Sequence, residues 1–196
     1  MSGDVNRERA FKPTSGHRAL DLLATLRDRH REPVECLRAP GDLDRWLAAA
    51  ALDVEHPATK DDLEAARRLR ETSYRVIAAA LQKKRPPTTD LRALNEWARH
   101  PALVPQIDSN LEQRWAGGVK AALATIARET VELLTTPDRM LIRECAATPD
   151  CSRIYLDRSP GRRRRWCHME WCGSNAKMRT YRRRRAAADK LSPTRS

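Results

Sequence analysis

The stretch CAATPDCSRIYLDRSPGRRRRWCHMEWC, residues 145–172, decides the fold of this chain. It contains four of the five cysteines as two pairs, Cys145 with Cys151 and Cys167 with Cys172, and fifteen residues separate the pairs. Zinc prefers four thiolate or imidazole ligands in a tetrahedron, and two close pairs joined by a hairpin-sized loop supply them. We therefore predict that these four cysteines bind one structural zinc ion.

Disulfides and inert thiols are the alternatives to a metal site, and the cellular compartment of the protein helps to decide between them. The opening residues, MSGDVNRERAFKPTSGH, contain no apolar run of signal-peptide length. Nowhere in the chain do eighteen uncharged apolar residues follow one another, so no membrane span is expected. We expect a cytoplasmic protein, and reduced thiols in that compartment favour metal binding.

Positive charge is concentrated in the part of the chain that holds the cysteines. Residues 1–138 contain 22 Lys and Arg against 21 Asp and Glu, a net charge of +1, whereas residues 139–196 contain 16 against 5, a net charge of +11. This distribution is typical of a nucleic-acid-binding module joined to a domain with another role. A solubilising tail is the alternative interpretation.

The candidate nucleic-acid contacts form two clusters, one between the cysteine pairs and one after the second pair. Lysine and arginine neutralise phosphates, and arginine also recognises guanine in a major groove. No aromatic pair typical of RNA-binding domains is present, which favours duplex DNA over RNA. The candidates are Arg162, Arg163, Arg164, Arg165, Lys177, Arg179, Arg182, Arg183, Arg184 and Arg185.

The cysteine-rich region predicts a small hairpin followed by a helix. Residues 152–156 alternate as in a short strand, residues 157–161 supply a turn, and residues 162–166 can return as the second strand. Ser174 is a candidate N-cap for a helix over residues 175–190. The cysteine-rich region has few large apolar side chains and cannot bury much surface. The metal must therefore hold this module together.

The first 138 residues predict helices with little strand signal. Pro101 and Pro105 mark an irregular connection, in which a short strand pair is one option. Apolar residues recur at helical spacing in the other segments, and Pro and Gly punctuate them. The predicted helices cover residues 17–29, 42–52, 59–85, 90–98 and 119–134.

Catalysis is not expected at the cysteine cluster. Four cysteines close the coordination sphere of a zinc ion, and no Glu base stands at the spacing that a zinc deaminase or hydrolase needs. His168, beside Cys167, is expected at the surface rather than as a ligand. Oxidation of the thiolates would release the metal, so redox sensing stands as an alternative to a purely structural role.

These residues resemble a known family, in which a CGNR zinc finger follows an ABATE domain. The likeness spans nearly the whole chain. In the finger it rests on the paired cysteines, Ile154–Ser159, Arg165-Trp166-Cys167, Cys172-Gly173, and Ala176-Lys177 before an Arg-rich helix. In the N-terminal part it rests on Ala19–Leu22, Thr25-Leu26, Asp44–Leu47, Leu69–Glu71 and Leu94-Asn95.

The resemblance implies a bacterial, stress-associated transcription regulator with a DNA-binding finger controlled by a helical sensory or interaction domain. We predict a mainly α fold in which a helical domain precedes a zinc-binding module of one β-hairpin and one helix. An RNA-associated or protein-interaction zinc module is the alternative, and homodimerisation would suit paired half-sites. The sequence identifies no small-molecule effector. The predicted parts are a flexible N-terminus (1–16), the helical domain (17–138), the zinc finger (139–186) and a flexible basic tail (187–196).

The sequence departs from the family pattern at two places. The tetrad Cys-Gly-Asn-Arg appears here as Cys172-Gly173-Ser174-Asn175, without the arginine. If that arginine contacts phosphate, Lys177 or Arg179 would replace it, whereas if it supports the fold, the Ser-Asn pair would cap the helix instead. The gap between the first two cysteines is one residue longer than in the family, and metal binding is expected to survive this change.

Overall fold

The computed structural model describes residues 11–191, with side chains described for residues 11–185. Within these residues the fold is mainly α with three short antiparallel strand pairs, which confirms the predicted fold class. The helices lying wholly within these residues are α1 (Arg18–Leu23), α2 (Pro40–Ala49), α3 (Lys60–Leu81), α4 (Thr88–Arg99), α5 (Val119–Thr135) and α6 (Ser174–Leu191). The strands are β1 (Leu26–Arg27), β2 (Val34–Glu35), β3 (Val104–Ile107), β4 (Gln113–Ala116), β5 (Ile142–Glu144) and β6 (Ile154–Leu156).

The longest helix of the N-terminal part, α3, begins where its capping residues predict. The Thr59 hydroxyl accepts a hydrogen bond from the Asp62 amide at 3.2 Å, and the Asp62 carboxylate accepts one from the Thr59 amide at 2.9 Å. This reciprocal pair satisfies two of the amides that a helix start leaves without partners. The helix ends at Leu81, earlier than predicted, because Lys83 adopts a left-handed backbone conformation with φ of 55°.

The helical domain is built around side chains from α2, α3 and α5. Trp46, Leu69 and Ile126 are almost completely buried and belong to one apolar cluster. Their positions follow the helical spacing of the sequence, which places one face of each helix inward. These buried side chains form the core of the helical domain.

The first helix is shorter than predicted, because α1 ends at Leu23 and an unpredicted hairpin follows. The hairpin pairs β1 with β2. A buried guanidinium holds it in place: Arg70 of α3 donates to both carboxylate oxygens of Glu35 at 2.7 and 2.6 Å. A charge pair at this depth needs such bidentate geometry to offset its loss of hydration. The partners lie 35 residues apart, so local periodicity could not indicate the hairpin.

The strand predicted at residues 152–156 forms, but the predicted partner is wrong. Strand β6 pairs with β5, in the register Ile142 opposite Leu156 and Glu144 opposite Ile154. Residues 162–166, predicted as the second strand, form no strand, and a short 3-10 turn covers Pro160–Arg162. The hairpin therefore encloses the first cysteine pair rather than the arginine run.

Residues 157–166, which we call the return segment, make other hydrogen bonds instead of a strand. The Asp157 carboxylate accepts the amide of Ser159 at 3.0 Å and that of Arg164 at 3.2 Å, which bends the chain into a loop. The carbonyl of Arg165 then accepts the Ala146 amide at 2.8 Å. Backbone groups satisfied in this way are not free for a regular ladder. The loop still returns the second cysteine pair to the first.

The zinc module and the helical domain share one apolar cluster. Leu20 and Leu23 of α1 belong to it together with Ile77 of α3 and Leu133 of α5. The zinc module contributes residues of β5 and β6, namely Ile142, Ile154 and Leu156. The two modules are therefore packed together and not joined only by a linker.

The two predicted flexible ends fall largely outside the described residues, which exclude residues 1–10 and 192–196. At the inner end of the first segment, Ser15 is fully buried, and its carbonyl accepts the Leu156 amide at 2.8 Å. The packed part of the chain thus begins before residue 17. Residues 187–191 continue α6. Among the described residues, no helix combines the length and apolar character needed to cross a membrane.

Candidate metal centre and basic surface

The four predicted zinc ligands come together at one point. The sulfur atoms of Cys145, Cys151, Cys167 and Cys172 all lie within 4.8 Å of one another. The first two flank the turn that connects β5 to β6, and the last two flank the turn that leads into α6. Cys145 and Cys167 are buried and the other two are half-buried. The extra residue between the first two cysteines does not keep their thiols apart.

The sulfur spacing fits a tetrahedral zinc ion. Cys167 Sγ lies 3.7 Å from Cys151 Sγ and 3.5 Å from Cys172 Sγ. Zinc–thiolate bonds of about 2.3 Å in a tetrahedron place the sulfurs about 3.8 Å apart, whereas a disulfide requires about 2.0 Å. An all-thiolate set also suits zinc far better than the hard cations magnesium and calcium. The donor set and its geometry therefore agree with one structural zinc ion.

Four thiols this close cannot all ionise without a cation. Hydrogen bonds from Cys151 and then Cys167 lower the pKa of Cys145. Hydrogen bonding to Cys145, and then to Cys151, raises the pKa of Cys172. A divalent cation removes this conflict because it stabilises all four thiolates at once, and its binding releases the remaining protons.

Arg164 supports the metal centre from inside the module. Its guanidinium lies over the Tyr155 ring at 4.7 Å, and its Nε donates to the Trp166 carbonyl at 2.8 Å. A further bond from the same guanidinium reaches the carbonyl of Cys167. The Tyr155 hydroxyl donates to the Arg164 carbonyl at 2.5 Å, and burial, with nearby Asp157, raises the pKa of that phenol to about 12. Arg164, which the sequence predicts as a nucleic-acid contact, is therefore turned inward.

The two predicted basic clusters meet in one groove, which we call the basic groove. It has a volume of about 550 Å³ and lies between the return segment and α6. Trp166 forms part of its wall, and the Arg165 guanidinium lies 5.1 Å from that ring. The cationic side chains that line it are Arg165, Lys177, Arg179, Arg183 and Arg184.

The remaining candidates differ in how available they are. Arg179 forms an ion pair with Asp150, a residue of the first cysteine turn that also pairs with Arg31 at 2.6 Å. Local sequence patterns could not indicate a role for this acid, because its ion-pair partners are distant in sequence. Outside the basic groove, four further candidate arginines are exposed: Arg162, Arg163, Arg182 and Arg185.

The fold and the cysteine cluster can now be compared with known families. Residues 16–137 match the ABATE family, described as "Putative stress-induced transcription regulator". The chain belongs to the ABATE family. Residues 142–185 match the CGNR zinc finger, which confirms the predicted family and the single structural zinc. Comparison with curated proteins finds no match.

The residues that depart from the CGNR tetrad, Ser174 and Asn175, lie at the start of the last helix. Ser174 has helical backbone angles, φ of −64° and ψ of −44°, and a wide turn over Met169–Gly173 precedes it directly. Its hydroxyl faces the Met169 carbonyl at 3.5 Å. The prediction that Ser174 is an N-cap is therefore wrong, because an N-cap residue has non-helical angles and accepts a bond from a helix amide.

The ABATE and CGNR families are described as regulators and zinc fingers rather than as enzymes. His168 is half-buried rather than a plain surface residue, because its ring stacks on Trp171 at 3.9 Å. It is not among the residues whose donor atoms converge on the metal centre. Its packing thus gives it a structural role beside Cys167.

Proposed function

We propose that this protein regulates transcription by binding duplex DNA through its zinc module. The observation that carries the proposal is the basic groove, where cations of the return segment and of α6 face one cavity. Cations gathered along one surface neutralise several phosphates of a duplex and release their counterions. The helical domain then serves sensing or partner binding.

The zinc ion makes this surface possible because it fixes its two walls. Cys167 follows the return segment and Cys172 precedes α6, so binding both sulfurs sets the distance between Arg165 on one wall and Arg184 on the other. Preorganised cations lose less conformational entropy on binding than cations on a free tail. Metal removal is therefore expected to abolish DNA binding as well as the local fold.

The candidate contact residues divide into three groups. Arg165, Lys177, Arg183 and Arg184 are exposed in the groove and serve as phosphate contacts. The inward-turned Arg164 has a supporting role instead. The exposed arginines outside the groove extend the same positive surface along α6 and the return segment.

Salt dependence tests the proposal quantitatively. Each phosphate contact to B-DNA contributes about −0.9 to the slope of log K against log salt. Four groove contacts thus give a slope of about −3.6, or a loss of about 150-fold in affinity between 50 and 200 mM salt. The measurement is fluorescence anisotropy of the zinc-loaded chain with labelled duplex and single-stranded oligonucleotides.

Matched variants locate the contact. Arg183→Ala/Arg184→Ala is expected to weaken duplex binding and to reduce the slope by about 2. Lys60→Ala/Arg92→Ala removes the same charge from exposed positions of the helical domain and should change neither. Tighter binding to single strands than to duplex would contradict the proposal, as would equal duplex affinity and salt slope in the two double variants. Either result would favour an RNA-associated or protein-interaction module.

A further inference from the structure

A second groove lies where the helical domain meets the zinc module, and we call it the junction groove. Its lining comes from the end of α3, the start of α4, the end of α5 and residues 139–143, which lead into β5. Its volume of about 520 Å³ lies within the range of about 300–1,000 Å³ that is typical of small-molecule sites. The basic groove is formed by other residues.

The lining of the junction groove is largely apolar. Val76, Leu81 and Leu134 form part of it from the helical side, and Ile142 from the zinc module. Two further lining residues leave apolar surface in water, with Leu91 38% exposed and Met140 62% exposed. When a ligand covers apolar surface that is exposed in a concave site, the free energy of the system falls, which favours binding.

The polar side chains at this groove carry one sign of charge. Lys83 and Lys84 follow α3, and Arg139 and Arg143 belong to the segment before and within β5. Among the residues described, no acidic side chain lines the groove. Nor do the described residues provide an ion-pair partner for Lys83, Lys84 or Arg139. An apolar cavity with only positive charge is complementary to an anion that carries a hydrocarbon tail.

We propose that the junction groove binds a medium-chain organic carboxylate, with its tail against the apolar lining and its carboxylate between the lysines and arginines. The inference goes beyond DNA binding and does not depend on it. The site also joins the two modules, because Ile142 lies both in the groove and in the cluster shared with α1, α3 and α5. Since β5 leads directly into Cys145, an occupied groove would stabilise the strand that precedes the first zinc ligand.

Isothermal titration of the zinc-loaded full chain with decanoate tests the proposal. We expect saturable binding of one decanoate per chain with a Kd below about 1 mM. Decyltrimethylammonium has the same tail with the opposite charge, and butyrate has the same headgroup with a short tail. Both are expected to bind at least tenfold more weakly, because each lacks one of the two complementary features.

Two variants with matched controls locate the site. Lys83→Gln/Lys84→Gln should weaken decanoate binding at least fivefold, whereas Arg85→Gln, on the same connection but outside the groove, should leave it unchanged. Met140→Glu places a negative charge in the groove and should weaken binding at least tenfold. Leu111→Glu, at an 81% exposed position between β3 and β4, should have no effect.

Three results would overturn the proposal. The first is the absence of saturable decanoate binding, and the second is equally tight binding of the cationic amphiphile. The third is an effect of the groove variants no larger than that of their controls. If Met140→Glu converts a dimer into a monomer in sedimentation while decanoate does not bind, the groove is a subunit interface and the proposal is wrong.

Discussion

Replacement of Ile154 by alanine tests whether the two modules unfold as one unit. Ile154 is 2% exposed, lies on β6, and packs in the cluster shared with Leu23, Ile77 and Leu133. If the zinc module were an independent appendage, a cavity at this strand would leave the helical domain unaffected. The shared cluster predicts that both modules lose stability together.

The expected loss of unfolding free energy follows from the number of buried atoms that the substitution removes. Ile154→Ala deletes three buried carbon atoms, and each buried methylene contributes about 0.8 kcal/mol to stability. The residual cavity adds to this loss, so the free energy of unfolding should fall by about 2.5–4 kcal/mol. For a chain of this size, 1 kcal/mol corresponds to about 2–4 °C in Tm, and a decrease of about 5–15 °C is expected.

Two probes distinguish a common transition from separate ones. Far-UV circular dichroism follows the helices, and thiolate-to-metal absorption of the cobalt-substituted protein follows the metal centre. We expect both transitions to move to lower temperature by the same amount. Val104→Ala, at a 56% exposed position on β3, is the control and should shift neither by more than about 1–2 °C. A shift of the cobalt signal alone would refute the shared core.

Two further predictions concern charged groups. Burial would raise the pKa of Glu71, but hydrogen bonds from Arg29 and a neighbouring arginine outweigh it and hold the pKa below its usual value of 4.5. The ionised carboxylate therefore stabilises the fold above that pH. The difference in unfolding free energy between wild type and Glu71→Gln should decrease as the pH falls below about 4.5. Chemical denaturation at several pH values measures this difference, and a constant value would contradict the prediction. Asp150→Asn should strengthen duplex binding severalfold in anisotropy, because Arg179 loses its ion-pair partner and becomes available to phosphate; unchanged or weaker binding would count against a role for that arginine.

The features that could be predicted from the sequence are those with a local or chemical signature. The helix predicted from residue 59 starts there, with Thr59 and Asp62 in a capping box whose partners lie within one helical turn. The cysteines converge because their pairing satisfies a metal with strict preferences for ligand type and geometry. Local patterns of this kind depend little on the rest of the fold.

The features that could not be predicted depend on residues far apart in sequence. The hairpin after α1 is held by the buried pair of Arg70 and Glu35, which helical periodicity cannot reveal. Strand β6 alternates as expected, but a local pattern does not identify its partner strand. The Asp157 carboxylate accepts hydrogen bonds from the amides of Ser159 and Arg164, and these bonds hold the residues after β6 in a loop. The packing across residue 138 likewise could not be predicted, because the apolar side chains that form this shared cluster come from distant parts of the chain.

We expect that one zinc ion bound by four cysteines organises the C-terminal third of the chain. Elemental analysis of purified protein, combined with thiol titration before and after a strong chelator, tests it most directly. We predict about one zinc per chain, cluster thiols that react only after chelation, and loss of the metal-dependent fold when the zinc is removed. Protein without a transition metal, or a C-terminal module that keeps its structure in chelator with all of its thiols reactive, would contradict the account.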